Sequence, residues 1–446
     1  MAQFRRVLVA NRGEIAVRII RACRQLGLET LAVFSSADRH SLHVQLADSA
    51  LCIGPPAAKD SYLNIPALLT AAHLGGADAV HPGYGFLAES PAFAEAVCRS
   101  GLTFIGPDAA VMARLGDKLS ARQTMAGLGL PLIPGSDGAL TSMEQAKHLA
   151  QKLGYPLIIK ASAGGGGRGM KVVSESAELE QALALTRAEA KASFGNDSLY
   201  LERYLTTPRH IEFQLLCDGK AALCLGSRDC SAQRRHQKLI EEAPAPGLDA
   251  AESARISALC EQACVELGYC GVATFEFLYQ DGRFFFIEVN TRIQVEHTVT
   301  EMVTGIDLLA WQLKLARGEP QPPRSVLKPS GHAIECRINA EDPERQLPGT
   351  GTVTGLHLPG GPGIRWDSHL YPGYEIPSQY DSLVGKLIAW GEDRDQALCR
   401  VQQALAELDI KGIHNNIALQ RRLLASPELA QQMPDIHFVE RLLETQ

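Results

Sequence analysis

Four polar side chains alternate along residues 290–296 in a pattern that suits the binding and deprotonation of a small anion. Asn290, Arg292, Gln294 and Glu296 are separated by single residues, so an extended chain would present them along one side. A guanidinium holds a planar anion through paired hydrogen bonds, an amide orients it, and a carboxylate takes its proton. A solvated edge strand is the alternative interpretation of this row.

Two glutamates lie on a predicted β-hairpin immediately before the row, and the hairpin register decides whether they can act together. The strands are residues 272–279 and 283–290, which carry Glu276 and Glu288. A two-residue turn would send the two side chains to opposite faces of the sheet. A three-residue turn, with Gly282 in a left-handed bulge, would place them diagonally on one face, about 7–8 Å apart at their α-carbons.

On a shared face these carboxylates and Asn290 could converge on a hard cation. Mg²⁺ prefers carboxylate and carbonyl oxygens together with the phosphates of a substrate. In the alternative interpretation both glutamates lie on the solvated face of an amphipathic sheet, because the aromatic residues of the two strands would form a core face in either case.

A glycine cluster at 164–169 satisfies the pattern G-x-G-x-x-G but lacks the context of a dinucleotide-binding fingerprint. That fingerprint requires a helix after the glycines, whereas the β-branched run 170–173 follows here. Arg168 also stands where a P-loop would carry lysine. A glycine loop between two strands predicts a flexible lid whose backbone N–H groups cover phosphate oxygens, and Lys160 ends the preceding strand within reach of such a phosphate. The alternative is a merely mobile surface hairpin.

A basic loop provides a further candidate wall for an anion site. It contains Gln233, Arg234, Arg235, His236 and Lys238. The chain has 43 lysines and arginines against 50 acidic residues, a net charge of -7, so no global positive field favours nucleic acid or an anionic membrane as a partner. The loop therefore indicates a local anion pocket, although such runs are usually solvated.

These candidate groups must be positioned by several domains, since 446 residues correspond to about three domains at roughly 150 residues each. Strand and helix patterns alternate from 6 to about 106 and predict a doubly wound parallel sheet. A Gly/Pro-rich stretch at 127–138 precedes a small α+β lid and a central antiparallel sheet. The proline-rich segment 319–331 predicts a linker to a C-terminal domain.

Cysteine usage and the first residues bear on the compartment. The eleven cysteines include no Cys-x-x-Cys pair, which argues against a zinc or redox site, and their odd number argues against a disulfide framework. The chain begins with only a short apolar run before charged residues, unlike a secretory signal or a membrane span. We expect a cytoplasmic protein.

Taken together, the motifs resemble those of the biotin carboxylases, the ATP-grasp subunits of acetyl-CoA carboxylase and related carboxylases. The resemblance covers essentially the whole chain and is most specific in the segments QRRHQK, NTRIQVEH and ECRINAED. It implies an α/β and α+β multidomain fold: a Rossmann-like domain at 1–115, an ATP-grasp domain at 116–318 with a mobile lid at about 131–204, and a C-terminal α+β domain at 330–446.

The resemblance also implies roles for the residues that match the family motifs. The expected nucleotide contacts are Lys118, Lys160, Gly166, Gly167, Glu202, Arg203, Tyr204, Leu205, His210, Gln233, His236, Glu276 and Glu288. The expected metal ligands are Glu276, Glu288 and Asn290. The expected bicarbonate or biotin contacts are Lys238, Arg292, Gln294, Val295 and Arg337. The expected catalytic set is Arg292, Glu296, Lys238 and Arg337, with Glu296 as the base.

The implied activity is the ATP- and bicarbonate-dependent carboxylation of biotin through carboxyphosphate, with Mg²⁺ or Mn²⁺ as the metal. No Ala-Met-Lys-Met biotin-acceptor motif occurs in the chain, so biotin is expected on a separate carrier protein. Carboxyltransferase subunits, fatty acid biosynthesis and a homodimer follow from the same resemblance. Two alternatives remain: a non-catalytic ATP-binding regulatory subunit, and another ATP-grasp ligase that forms an acyl or carbamoyl phosphate.

Several residues depart from the family pattern. Ser227 stands where the family usually has glutamate, and Ala163 replaces a glycine. Gln25 and Pro362 occupy positions where a family dimer has glutamate and phenylalanine at its interface. Thr298 stands where many relatives have proline, and it does not identify the final carboxyl acceptor.

Overall fold

The computed structural model describes residues 4–162, 169–342, 347–431 and 433–444. Five sheets organise this part of the chain. Within it, no helix combines the length and the apolar character needed to cross a lipid bilayer.

The N-terminal residues form a five-stranded parallel sheet in the order β3-β2-β1-β4-β5. Its strands are β1 (Arg6–Val9), β2 (Glu29–Ser35), β3 (Ser49–Gly54), β4 (Ala79–His81) and β5 (Thr103–Phe104). The accompanying helices are α1 (Gly13–Gln25), α2 (Leu42–Leu46), α3 (Ile65–Leu74), α4 (Pro91–Arg99), α5 (Ala109–Gly116) and α6 (Lys118–Gly127). The strand order reverses at β1, so the predicted doubly wound architecture is confirmed, and the loop after β1 opens at the switch point where such sheets bind ligands.

The lid is a three-stranded antiparallel sheet, β7-β6-β8, with two helices. Its elements are α7 (Met143–Leu153), β6 (Leu157–Ala161), β7 (Met170–Val173), α8 (Leu179–Phe194) and β8 (Leu199–Arg203). Lys160 pairs with Met170 across β6 and β7, as the predicted strand-glycine-strand hairpin requires. Residues 163–168, which comprise Ala163, the four cluster glycines at 164–167 and Arg168, lie outside the described residues.

A continuous antiparallel sheet of eight strands carries the rest of the fold, in the order β13-β12-β9-β10-β11-β14-β19-β17. These strands are β9 (Arg209–Asp218), β10 (Ala222–Arg234), β11 (Gln237–Ala243), β12 (Cys270–Gln280), β13 (Arg283–Asn290), β14 (His332–Asn339), β17 (Ile364–Ser368) and β19 (Leu383–Gly391). The two-stranded pairs are β15 (Gly351–Thr352) with β18 (Glu375–Ile376), and β16 (Gly355–His357) with β20 (Asp409–Lys411). The helices are α9 (Ala250–Glu266), α10 (His297–Thr304), α11 (Leu308–Ala316), α12 (Arg394–Glu407), α13 (Ile417–Leu424), α14 (Pro427–Gln431) and α15 (Phe438–Glu444).

The proline-rich segment 319–331 does not separate two sheets. After it the chain returns to the central sheet, where β14 pairs with β11 so that Cys336 lies opposite Ile240. The C-terminal strands therefore extend the sheet that begins at β13. Pairing between strands so distant in sequence leaves no local signal, so the sequence did not indicate that the C-terminal strands share this sheet.

The sequence left two turn lengths open for the β12–β13 hairpin, and the expectation that the shorter turn would send Glu276 and Glu288 to opposite faces is wrong. Gln280 pairs with Arg283 around a two-residue turn in which Asp281 and Gly282 both have positive φ angles, as a type I′ turn requires. A bulge then leaves Ile287 unpaired and places Glu276 directly opposite Glu288. Without the bulge, Glu288 would point to the core face.

The extended row predicted for residues 290–296 is also wrong as a conformation. Strand β13 ends at Asn290, and a turn at 295–296 leads into α10. The polar side chains nevertheless converge, because the bend after β13 and the turn before α10 border the same cavity.

Candidate active site

One cavity of about 1270 Å³ lies between the lid, the central sheet and the loop after β1. Every predicted site residue in the described part of the chain lines it: Lys118, Lys160, Glu202, Arg203, Tyr204, Leu205, His210, Gln233, His236, Lys238, Glu276, Glu288, Asn290, Arg292, Gln294, Val295, Glu296 and Arg337. Gly166 and Gly167 lie outside the described residues.

Lys238 lies at the centre of the cavity floor, where three carboxylates share its ammonium group. Its Nζ contacts Glu212, lies 2.7 Å from Glu296 Oε1 and lies 3.2 Å from Glu276 Oε1. Burial opposes the charge on this group, but the three carboxylates raise the pKa of Lys238 well above its usual value. The floor therefore holds a permanent cation beside two of the predicted site glutamates.

Glu212 is a fully buried member of this cluster that the sequence analysis missed. Arg228, also fully buried, donates to its Oε2 from Nη2 at 2.9 Å and contacts the side chain of Gln294 as well. The sequence did contain a signal for Glu212, because His210, Glu212 and Gln214 alternate with apolar residues along β9. That is the same pattern that singled out residues 290–296.

Glu296 is held ionised between two cations. Arg337 Nη2 donates to its Oε2 at 3.0 Å and Lys238 donates to its Oε1 at 2.7 Å. Burial favours the neutral acid, but Lys238, Arg337 and Arg228 lower the pKa of Glu296. The carboxylate is therefore free of its own proton and can accept one from a bound acid.

Hydrogen bonds to both the side chain and the main chain hold Arg337 in place. Its Nε donates to Glu241, a fully buried residue of β11, and its carbonyl accepts from Asn416 Nδ2 at 3.0 Å and Gln420 Nε2 at 2.8 Å. The guanidinium is thus aimed at Glu296 from the side opposite Lys238.

The carboxylates of Glu276 and Glu288 provide the hard oxygen ligands expected for a magnesium site. Glu276 Oε1 accepts from Asn290 and Gln294, each at 2.8 Å. Burial opposes ionisation, but Lys238 and His210 lower the pKa of Glu276, so it carries the charge that a cation needs. Glu288 lies nearer the cavity mouth, where its Oε2 is 3.4 Å from Lys118 Nζ. This donor set fits Mg²⁺.

Asn290 and Arg292 are tied to each other and to an acidic residue that the sequence analysis missed. Arg292 Nη2 donates to Asn290 Oδ1 at 2.9 Å, and its Nε donates to Glu89 at 3.0 Å. The amide oxygen of Asn290 has two lone pairs, so the hydrogen bond from Arg292 leaves one that could face a cation.

His210 lies too close to the carboxylates to remain neutral. Its Nε2 is 3.1 Å from Glu276 Oε2 and 3.3 Å from Glu212 Oε1. Burial lowers the pKa of this imidazole, but the attraction of Glu276 outweighs it and the pKa rises to about 9. A charged imidazolium suits a phosphate contact and does not suit metal coordination, which requires neutral imidazole.

In the lid, the ammonium group of Lys160 has a single carboxylate partner among the residues that the structure describes. Its Nζ lies 2.6 Å from Glu202 Oε2, and Arg122, which the sequence analysis missed, contacts the other oxygen of Glu202. The pairing of β6 with β8 brings Lys160 and Glu202 to neighbouring positions.

The outer part of the cavity combines apolar walls with polar edges. Tyr204 contacts His437 of the segment before α15, with 3.3 Å between the hydroxyl and Nε2. His236 lies at the tip of the β10–β11 hairpin, where it and Arg235 have positive φ angles. The apolar lining, which no sequence motif indicated, comprises Ile133, Ile158, Met170, Val172, Leu278 and Ile436. Such walls suit a flat aromatic ring.

Three family descriptions match consecutive parts of the chain. Residues 3–112 match "Biotin carboxylase, N-terminal domain", residues 117–323 match "Carbamoyl-phosphate synthase L chain, ATP binding domain", and residues 335–441 match "Biotin carboxylase C-terminal domain".

Similar proteins and structures cover nearly the full length. The biotin carboxylase of Pseudomonas aeruginosa is 54% identical over 443 residues, which are 98% of each chain. A biotin carboxylase complex with a βγ-ATP ligand from Campylobacter jejuni superposes with a TM-score of 0.95 at 44% identity, over 98% of this chain and 99% of that one.

A third relative was solved with nucleotide, magnesium and bicarbonate. The biotin carboxylase domain dimer of the 2-oxoglutarate carboxylase from Hydrogenobacter thermophilus, in complex with MgADP, ADP and bicarbonate, gives a TM-score of 0.94 at 43% identity, over 99% of this chain and 98% of that one. On these grounds the chain is an ATP-grasp ligase of the biotin carboxylase family, whose reaction is the carboxylation of biotin at the expense of ATP and bicarbonate.

Proposed function

We propose that the described cavity activates bicarbonate with ATP and passes the carboxyl group to biotin on a separate carrier protein. The observation that supports this most directly is the position of Glu296, an ionised base between Lys238 and Arg337. A negatively charged substrate can bind beside a carboxylate only where cations offset the repulsion.

The nucleotide occupies the outer cavity in this proposal. Its adenine ring binds against the apolar walls near residues 202–205, and its phosphates meet Lys118, Lys160, His210, Gln233, His236 and the glycine loop with Gly166 and Gly167. Glu276 and Glu288, with Asn290, would hold Mg²⁺ or Mn²⁺. When bound, the metal offsets the negative charge of the phosphates.

Bicarbonate binds to Lys238, Arg292, Gln294 and the main chain at Val295. Glu296 takes its proton, and the carbonate oxygen attacks the γ-phosphorus of ATP as ADP leaves, which gives carboxyphosphate. Lys238 and Arg292 stabilise the charge that develops during this attack.

Carboxyphosphate then splits into carbon dioxide and phosphate. The phosphate accepts the ureido proton of biotin, Arg337 stabilises the resulting enolate, and the ureido nitrogen attacks carbon dioxide. Closure of the lid keeps water away from the labile intermediate.

The test is ATP hydrolysis by the purified chain in carbon dioxide-free buffer, with and without added bicarbonate and free biotin. We expect ADP to form only when bicarbonate is present and faster when biotin is added. Hydrolysis that ignores bicarbonate would contradict the proposed chemistry.

The proposal extends to the domains, the assembly and the compartment. We assign the boundaries 1–115, 116–318 with the lid at about 131–204, and 330–446, and we infer a homodimer that works with a biotin carboxyl carrier protein and carboxyltransferase subunits. All eleven cysteines are unpaired, which supports a reducing compartment such as the cytoplasm. Sedimentation equilibrium tests the homodimer, and a mass of 48.2 kDa at assay concentration would contradict it.

A non-catalytic ATP-binding subunit gains no support from Ser227, the residue on which that alternative depended. Its hydroxyl accepts from the main-chain N–H of Ala245 at 3.3 Å, and Ser227 does not line the cavity. The change at this position therefore leaves the Lys238 cluster complete.

A further inference from the structure

Two buried side chains outside the cavity hold the turn that presents Glu296. Lys386 of β19 donates from Nζ to the carbonyl oxygen of Val295 at 2.7 Å. Glu335 of β14 accepts a hydrogen bond from the hydroxyl of Thr298. One anchor thus lies one residue before Glu296 and the other lies two residues after it.

Lys386 is a charged group in the protein interior. Its side chain is fully buried and lies 3.3 Å from Glu14 Oε1, a carboxylate that also accepts from the hydroxyl of Tyr84. Burial opposes its charge, but Glu14, Glu335 and Asp367 raise the pKa of Lys386. Lys386 does not line the cavity that we assign to nucleotide and bicarbonate.

Glu335 is also fully buried and does not line the cavity. It lies directly opposite Glu241 across β11 and β14, and its Oε1 has no hydrogen-bond partner within the described part of the chain. Burial raises the pKa of Glu335. This carboxyl group is costly to bury, and its hydrogen bond with Thr298 is the direct contact through which it acts on α10.

A purely structural role would not require these groups. Apolar side chains of similar volume would hold α10 against the sheet at no greater cost, because replacing buried charges by apolar residues is often neutral or stabilising. Here the polar contacts are made to the two positions that bracket Glu296. Arg337, which pairs with Lys386 across β14 and β19, contacts the Glu296 carboxylate itself.

We infer that Lys386 and Glu335 are positioning residues that set the direction of the Glu296 carboxylate through Val295 and Thr298. The inference rests on the proposed role of Glu296 as the base.

Two variants of the full chain test it: Lys386→Met and Thr298→Val, which removes only a hydroxyl. We expect Lys386→Met to lower kcat for bicarbonate-dependent ATP cleavage about tenfold or more, since small misplacements of a reacting group are costly. We expect Thr298→Val to lower it roughly threefold, the scale of one hydrogen bond. The KM for ATP should change less than about twofold, because no nucleotide contact is altered.

Arg394→Met is the matched control. Arg394, a partly buried residue at the start of α12, forms an ion pair with the buried Glu242 of β11 at 2.8 Å, and neither residue lines the cavity. The control should lower the thermal midpoint and leave kcat per folded molecule unchanged.

Normal kcat in both Lys386→Met and Thr298→Val would overturn the inference. So would equal losses of kcat in these variants and in the control. If Lys386→Met does not fold, Thr298→Val decides alone. Glu296→Gln tests the proposed base separately from the positioning inference. If this variant retains full activity, the assignment of Glu296 as the base is wrong. If it is inactive while Lys386→Met and Thr298→Val have normal kcat, only the positioning inference fails.

Discussion

The floor of the cavity and its lid both present lysines to the same space, but they hold them differently. On the floor, Lys238 contacts three carboxylates, two of which are also held by arginines. In the lid, Lys160 has one carboxylate partner within the described ranges, Glu202.

This difference separates two tasks. Groups that stabilise charge in a transition state are most effective when they are already fixed before the substrate binds. The ion pairs of the floor fix Lys238 and its carboxylates in this way. A lid must release its contacts to open and reform them on nucleotide, so a single partner that a phosphate can replace is sufficient. We therefore expect floor substitutions to change kcat and stability, and lid substitutions to change nucleotide affinity.

The largest expected effect follows from Lys238→Met. This change leaves three carboxylates without their shared cation, so we predict a loss of kcat of about 10³-fold, the upper scale for one electrostatic group. We also predict a loss in the free energy of unfolding of about 3–5 kcal/mol, as for other broken buried pairs. Steady-state ATP cleavage and denaturant unfolding measure the two losses. A stable protein with normal kcat would remove the distinction between floor and lid.

Glu296→Gln comes next. It retains the size of the side chain and removes the proton acceptor, so we predict a loss of about 10²-fold in bicarbonate-dependent ATP cleavage. Glu242→Gln is the matched control, since Glu242 is a buried carboxylate that does not line the cavity. Equal losses in the two variants would show that the effect comes from buried charge in general.

A smaller effect, in a different parameter, is expected for Lys160→Met in the lid. We predict a rise in the KM for ATP of roughly tenfold or more, because a charge-assisted hydrogen bond contributes about 1.5–3 kcal/mol. The thermal midpoint should change little. Lys147→Met, which removes an exposed lid ion pair with Glu180, is the control and should alter neither quantity. A fall in kcat with an unchanged KM for ATP would show that Lys160 acts like the floor residues and would contradict its role in nucleotide affinity.

The smallest effect on activity is expected for Asp38→Asn, outside both regions. Burial opposes its ionisation, but hydrogen bonds from Arg12 lower the pKa of Asp38 to about 2, below an unfolded value of about 3.9. The depressed pKa stabilises the fold above pH ~4, and this stabilisation is lost as pH falls toward ~2. Thermal midpoints should therefore differ most between wild type and variant near neutral pH and converge in acid. A constant difference across this range would contradict the assignment.

The sequence predicted the doubly wound sheet, because alternation and helical spacing are local signals. Most of the residues that line the cavity were expected from the family resemblance, and their roles stay predictions. The sequence did not predict the turn of the β12–β13 hairpin, where one unpaired residue, Ile287, reverses the face of Glu288. Bulges of this kind depend on packing against a third strand, and a single sequence does not reveal it.

Long-range partners were missed for a similar reason. Glu241, Glu335 and Lys386 lie on three neighbouring strands of one sheet. They are far apart in sequence, so no local pattern shows that they meet. Glu212 was accessible in principle, since it belongs to an alternating polar row on β9. Its role became clear only when the fold placed it against Lys238.

The central claim is that one cavity couples ATP cleavage to the carboxylation of biotin. Transfer of label from isotopically labelled bicarbonate to free biotin, measured together with ADP release by wild type and by Lys238→Met, tests it most directly. The account predicts carboxybiotin only when ATP and bicarbonate are both present in the wild type, and none above background in the variant. Carboxybiotin formed equally by both proteins, or ADP released without any labelled biotin, would contradict it.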